Sequence, residues 1–384
     1  MKPTFQNFDV DAFLRDYWQK KPLFMRNPWR DWQNPLEPDE LAGLACEPQV
    51  ESRVVAQSSD TLTLEQGPFA ENRFEELGTA PWTLLVQAVD HFTAEVSDLI
   101  EPFRFIPNWR IDDVMVSFAT DGGGVGAHFD QYDVFLVQGL GQRRWEIGQM
   151  CDENTALLPH DDLKLLAEFE PSAEWVLGPG DILYIPPGLA HKGTAIGHDC
   201  MTYSIGFRAP SRSELVEGFA ADLLQDMSED DRYGDPDLTR QGNPGEITAD
   251  ALARLHSMVM RELGDADRFS TWFGSFATEP KNAHIDWAPE ESIDLHEVVE
   301  ALTTVQTVLR NPASRFAFIR RDDGGVTLMV DGKGHVCTGE ASDFAQRLCR
   351  GPRFEMKAGS GSGIAHLLHT LINDGSAAFE IAED

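Results

Sequence analysis

Between Asp113 and Phe207 the chain is cut into short apolar runs by Gly, Pro and Asp, and this punctuation limits the possible folds more than any other feature. Residues 114–119, 134–138, 143–147, 175–177, 182–185, 191–195 and 200–207 each have strand length, and 161–169 is the main helical candidate among them. Many short strands joined by tight turns specify a β-sandwich or barrel. A jelly roll, or double-stranded β-helix, would bring sequence-distant residues to one mouth.

The flanks read differently. Before the strands, residues 9–21 carry Val10, Phe13, Leu14 and Trp18 on one helical stripe that Pro22 stops. The β-rich runs 53–57 and 61–66 flank Ser58-Ser59-Asp60 as a hairpin, and 82–100 repeats Leu84, Leu85, Ala88, Phe92 and Val96 at helical spacing. After Pro210 two amphipathic helices are expected, at 211–227 and 249–263, separated by an Asp/Gly/Pro-rich loop at 228–245. Such an αα pair serves either to dimerise the chain or to pack on its own domain. The last part mixes helices and short strands (295–309, 316–320, 326–330, 341–348, 364–372), a small α+β domain for which a winged helix is expected. From Ser275 to Asp384 it holds 10 basic and 17 acidic residues, which disfavours direct nucleic-acid binding. The division is then 1–210, 211–272 and 273–384.

The chemistry concentrates at Asp121–Ile147. On a strand, His128 and Asp130 point to one face while Phe129 points to the other. Alone, a His-x-Asp pair is weak in a chain with 11 histidines. Glycines at 122, 123, 124 and 126 leave the approach free of side chains, as a cavity mouth requires. Downstream, Asp181 opens an apolar strand closed by Pro186-Pro187-Gly188, a rigid turn that delivers His191. Two histidines and one carboxylate, with positions left open, suit a non-haem Fe(II) oxygenase.

Strand parity adds a second group. In 142–147, Gln142, Arg144 and Glu146 form a polar face, which puts Arg143 beside Trp145 and Ile147 on the core side. A buried guanidinium needs an anion, supplied either by a ligand carboxylate or by a distant Asp or Glu. The glycine run also fits a relaxed dinucleotide-binding fingerprint, but β-like residues follow where that motif needs a helix. His366 and His369, three apart on a helix, have no third partner nearby, and His198 sits in a polar turn.

Bulk properties narrow the partners. Lys plus Arg is 31 against 64 for Asp plus Glu, a formal net charge of −33. So negative a surface repels phosphate backbones and attracts basic macromolecules, although it also serves solubility alone. Five scattered cysteines without a Cys-x-x-Cys pair argue for reduced thiols. The N-terminus lacks an apolar signal region and no stretch reaches the length of a membrane span, so a cytoplasmic protein with no membrane contact is expected.

With His128, Asp130, His191, the glycine lead-in and Arg143 assembled, the chain resembles the JmjC-type 2-oxoglutarate oxygenases of cupin fold. More narrowly, it is similar to bacterial ribosomal oxygenases, which hydroxylate an arginine of large-subunit ribosomal protein sixteen. The likeness extends through Phe13 to Leu23, Gly180 to His191 and Tyr203 to Pro210. It implies a JmjC barrel, a helical dimerisation segment and a C-terminal winged-helix domain, hence a homodimer. It also implies Fe(II) on His128, Asp130 and His191, with 2-oxoglutarate and O2 as co-substrates and Arg143 on the far carboxylate. The reaction implied is 3-hydroxylation at arginine Cβ of a basic ribosomal protein, with Asp121 as a candidate contact for the substrate. Histidine hydroxylation, lysine demethylation and a non-catalytic metal-binding cupin module are the alternatives.

Overall fold

The structure, a computed structural model, describes residues 3–58, 61–160 and 162–380. It begins with α1 (Val10–Asp16), β1 (Leu23–Met25) and α2 (Pro38–Leu44). The paired strands β2 (Ser52–Ser58) and β3 (Thr61–Gln66) follow, then α3 (Arg73–Leu77), β4 (Trp82–Val86) and α4 (Ala94–Ser97). Five more strands complete this part: β5 (Ile111–Ala119), β6 (Asp133–Met150), β7 (Ala173–Leu177), β8 (Ile182–Ile185) and β9 (Leu189–Phe207). Among the described residues, hydrogen bonds order them β1-β8-β6-β9-β5-β4-β2-β3, with β7 also on β6.

Two long strands make this a double-stranded β-helix. β6 and β9 pair twice, 133–138 against 202–207 and 142–147 against 191–196, with irregular register between. The strand pairs expected at 134–138 and 143–147, and at 191–195 and 200–207, are therefore halves of single strands that bend from one layer to the other. The bend needs glycine: Gly141 adopts φ 59°, and a Cβ there would stand 2.8 Å from the carbonyl oxygens of His198 and Asp199.

An aromatic cluster fixes the outer elements. Phe135 of β6 lies 4.7 Å from Phe103, 4.9 Å from Tyr184 and 5.6 Å from Phe207 between ring centroids, and Phe13 of α1 lies 4.9 Å from Tyr184. Asp9 caps α1 through the Ala12 N–H (2.9 Å). The helix ends at Asp16, shorter than the 9–21 expected, because Gln19 turns to φ 55° and donates its N–H to the Tyr184 hydroxyl (2.7 Å).

Two expected helices are absent. Residues 82–100 divide into β4, 3-10 turns at Val89–His91 and Asp98–Phe103, and the four-residue α4. All five β4 residues are buried between β2 and β5, and Ala88 at φ 51° breaks any continuing helix. Residues 162–169 are irregular, tied by Leu158 N–H to Leu165 O (2.8 Å) and Leu166 N–H to Ala127 O (2.9 Å); Asp161 lies outside the described residues. The hairpin turn at Ser59-Asp60 also lies outside them, while its strands pair from Arg53↔Gln66 to Ser58↔Thr61.

Beyond β9 come α5 (Arg212–Asp226), α6 (Ala249–Leu263) and α7 (Ala266–Thr278). α7 was not among the expected elements, and it runs across residues 272 and 273. Its Trp272 packs on α5, 5.4 Å from Phe219, over Gly218, where a Cβ would stand 2.8 Å from the indole. The C-terminal part has α8 (Leu295–Ala301), β10 (Gln306–Arg310), β11 (Phe316–Arg320), β12 (Val326–Val330) and β13 (Lys333–Cys337). α9 (Glu340–Leu348), β14 (Arg353–Met356), α10 (Ser362–Asn373) and β15 (Ala377–Phe379) complete it. The run at 295–309 is thus a helix followed by a strand. Val298, Phe316, Leu328, Phe344 and Leu368 form a separate core there. It docks on the β-helix through Asn108 Nδ2, which donates to Cys349 O (2.6 Å), Arg315, which donates to Asp112 Oδ1 (2.7 Å), and Trp287, 5.9 Å from Phe92 between ring centroids, while Arg208 donates to Ala277 O of α7 (3.0 Å).

All five cysteines are unpaired thiols, four of them buried. No helix among the described residues is long and apolar enough to cross a membrane.

Candidate active site

His128 and Asp130 share a face without a regular strand beneath them. In place of the expected strand there is an isolated antiparallel bridge: His128 N–H donates to His191 O (3.0 Å) and His191 N–H to His128 O (2.8 Å). The start of β9 is thereby set beside the His-Asp pair. The Pro186-Pro187-Gly188 turn holds the other end, since Gly188 N–H donates to Asp130 O (2.7 Å). Gly188 sits at φ 78°, and a Cβ there would meet Cys151 O at 3.0 Å, so a side chain would disturb this contact.

Both imidazoles are oriented from behind. His128 Nδ1 faces Gly126 O at 3.1 Å and His191 Nδ1 faces Leu189 O at 3.0 Å. A carbonyl oxygen only accepts, so each Nδ1 carries a proton, and in the neutral ring this tautomer leaves the lone pair on Nε2. Those Nε2 atoms stand 4.0 Å (His128) and 3.6 Å (His191) from Asp130 Oδ2. Burial, and then the nearby His128, push His191 down to about 4, so at neutral pH its imidazole is the uncharged form that can ligate. The three donor atoms lie within 4.8 Å of one another, a spacing that one metal ion can span. No other such group of three or more occurs among the described residues; His198 is exposed, and His366 is turned to Ser362 O (2.8 Å).

The glycine lead-in acts differently from the expectation of an open mouth. A Cβ at Gly123 would stand 2.4 Å from Trp82 O, and one at Gly124 would stand 2.3 Å from Gly193 O. These glycines let the loop wedge between β4 and β9, and the wedge aims His128 inward.

The triad borders a cavity of about 470 Å³ inside the β-helix, with residues 162–165 along one side. Arg143 lines it, 4 % exposed, as parity requires. Its Nε lies 3.4 Å from Cys200 Sγ, and its Nη2 is buried without a partner among the described residues. Thr83 Oγ1, in the same cavity wall, is likewise buried and unpartnered. A buried cation and a buried hydroxyl left open beside a metal-competent triad fit a ligand that carries both a chelating end and a distal carboxylate. Thr83 escaped the sequence reading because 82–100 has helical spacing.

Besides Asp130, the acidic residues of the wall are Asp112, Asp113 and Asp162, with Lys281 from the C-terminal part beside the first two. Asp121 lies outside the cavity lining and accepts the Gly197 N–H (2.7 Å) in an exposed turn. A pair of acids opening a core strand was the available sign for 112–113; nothing local marks Lys281.

Residues 98–215 match the JmjC domain family, and residues 260–378 match the ROXA-like winged helix. The chain is 40% identical over 298 residues to the ribosomal protein uL16 3-hydroxylase of Escherichia coli K12, covering 78% of this chain and 79% of the relative. The chain belongs to the ribosomal oxygenase family. A probable ribosomal oxygenase of Haemophilus influenzae is 36% identical over 282 residues, 70% of this chain and 67% of that one. Across 99% of this chain and all of that one, the crystal structure of E. coli YcfD matches with a TM-score of 0.89 at 34% identity. The E. coli ribosomal oxygenase YcfD in complex with cobalt and 2-oxoglutarate matches with a TM-score of 0.85 at 33% identity, over 98% and 99% of the two chains. The expected JmjC cupin fold with a C-terminal winged helix is the fold of this family member.

Proposed function

We propose that this ribosomal oxygenase is an Fe(II)- and 2-oxoglutarate-dependent enzyme that hydroxylates Cβ of an arginine in uL16. The observation that carries the reading is one cavity containing both a two-histidine, one-carboxylate donor set and an unpaired buried guanidinium. His128, Asp130 and His191 would hold the metal. Arg143 Nη2 would take the distal carboxylate of 2-oxoglutarate, with Thr83 Oγ1 as a second donor. When bound, Fe(II) with O2 and 2-oxoglutarate supplies the oxidation that turns a substrate C–H into C–OH, with release of succinate and CO2. The protein's own contribution is to hold these groups in place and to shut water out of the cavity. A metal-binding module without turnover would leave the open Arg143 unexplained. The E. coli relative named for uL16 3-hydroxylation supports the substrate, as do the YcfD complexes for a metal with 2-oxoglutarate or succinate.

Within the cavity we place the substrate guanidinium against Asp113, which is 3 % exposed, in preference to Asp121. An acidic wall favours a cationic side chain over a histidine, which is neutral at pH 7. The net charge of −33 suits a basic ribosomal protein in the cytoplasm. The test uses purified chain with Fe(II), 2-oxoglutarate and uL16. Succinate should form in step with the gain of one oxygen atom on uL16; 2-oxoglutarate consumption that uL16 does not stimulate, with uL16 mass unchanged, overturns the assignment.

We assign residues 1–210 to catalysis, 211–272 to dimerisation and 273–384 to the winged helix, whose acid excess points to protein contact without direct nucleic-acid binding. The dimer rests on α6, which has no buried residue yet carries Leu252, Leu255, Val259 and Leu263 along one face, Val259 58 % exposed. Light scattering should give about twice the 42.8 kDa chain mass, and Leu255→Glu with Val259→Glu should return it to one chain. A wild-type protein that scatters as a monomer at micromolar concentration removes the dimer.

A further inference from the structure

Two of the acidic residues that line the cavity, Asp112 and Asp113, are adjacent on β5, and adjacent strand residues ordinarily point to opposite faces. A register irregularity between Ile111 and Val114, where β5 pairs with β9, lets Asp112 and Asp113 reach one cation. That cation is Lys281, from the turn after α7. Its Nζ stands 2.8 Å from Asp112 Oδ2 and 3.0 Å from Asp113 Oδ1, and it borders the cavity. The remaining oxygens are taken: Asp113 Oδ2 accepts from Gln87 Nε2 (2.7 Å) and the Ala88 N–H (2.8 Å), and Asp112 Oδ1 accepts from Arg315 (2.7 Å). Asp113 Oδ1 is thus met by a lysine that the C-terminal domain contributes.

Charge explains why it is there. Asp112 and Asp113 are balanced by Lys281 and Arg315. The neighbouring Asp90 adds little at neutral pH, because burial first and Asp113 second push its carboxyl up to about 8. Without Lys281, two adjacent desolvated carboxylates would keep a single counter-ion. A substrate guanidinium brings a further positive charge to the same oxygen. A guanidinium is more weakly hydrated than an ammonium and gives up less water on reaching that oxygen, whereas the lysine ammonium is a strongly hydrated point charge on a flexible stem. The Lys281 side chain is 21 % exposed and so has solvent to move into.

We propose that Lys281 is a placeholder for the substrate cation, occupying Asp113 in the empty enzyme and ceding it when the substrate side chain enters. The C-terminal domain thereby sets the affinity of the substrate pocket. This rests on the reading of the cavity as an arginine site. Lys281 acts through Asp113 and is a positioning residue.

The test is steady-state kinetics of the full chain with Fe(II), 2-oxoglutarate and a uL16 peptide that contains the target arginine. Lys281→Met removes the competitor, so KM for the peptide falls about fivefold to tenfold, while kcat and KM for 2-oxoglutarate stay near wild type. Lys281→Arg keeps a firmer competitor and raises KM for the peptide. A residue that only braced the two domains would give the reverse order, harmed by Met and rescued by Arg. A peptide KM that is flat or reversed across folded variants overturns the placeholder and leaves the arginine reading intact. If Lys281→Met does not fold, Lys281→Arg decides alone, and an unchanged KM sinks the proposal. Wild-type enzyme that leaves the peptide unmodified removes the arginine reading, and the placeholder with it.

Discussion

Exchange of His191 for alanine stops 2-oxoglutarate turnover while leaving the fold in place. The bridge that joins His191 to His128 runs through backbone N–H and C=O groups, which alanine keeps. What disappears is one Nε2 of three donor atoms grouped within 4.8 Å. Loss of an outer partner of a metal ligand already costs about 10- to 100-fold in metal affinity or activity, so loss of the ligand itself costs more. Metal titration and succinate release should fall together, with a circular dichroism spectrum like that of the wild type. The same follows for His128→Ala and Asp130→Ala, and turnover that survives in both of these would rule the triad out.

Arg143→Met separates co-substrate binding from metal binding. The guanidinium is buried with Nη2 open, so the variant loses a charge-assisted contact made only when the anion is present. At about 1.5–3 kcal/mol for such a contact, KM for 2-oxoglutarate rises on the order of 10- to 100-fold. Stability should hold or improve, because a buried cation with no anionic partner among the described residues is replaced by an apolar chain of similar length. Metal affinity in the absence of 2-oxoglutarate should not change. An unaltered KM for 2-oxoglutarate would mean that Arg143 pairs elsewhere.

How much of this was legible depends on how local each signal is. Alternation separates Arg143 from Arg144 because 142–147 lies in a true strand, paired with β7 on one side and β9 on the other. The same alternation does not apply at 128–130, yet the ligands still converge, held there by a backbone bridge and by Gly188. At 82–86 every side chain is buried, so the run has no period-2 signature, and Leu84, Leu85 and Ala88 imitate a helix. Residues 162–169 carry leucines at similar spacing but are irregular, and 162–165 border the cavity. Lys281 meets Asp112 and Asp113 only through the tertiary fold, beyond the reach of any window-based reading. α7 was missed although its Trp272, Phe273 and Phe276 share a helical face.

The central claim, that this cavity hydroxylates an arginine of uL16, is tested most directly in the cell. Ribosomal proteins from cells with and without this gene would be compared by fragment mass spectrometry. One extra oxygen is expected on a single uL16 arginine, located to Cβ, lost without the gene and not restored by the Asp130→Ala chain. A uL16 spectrum that is the same in both strains would contradict it.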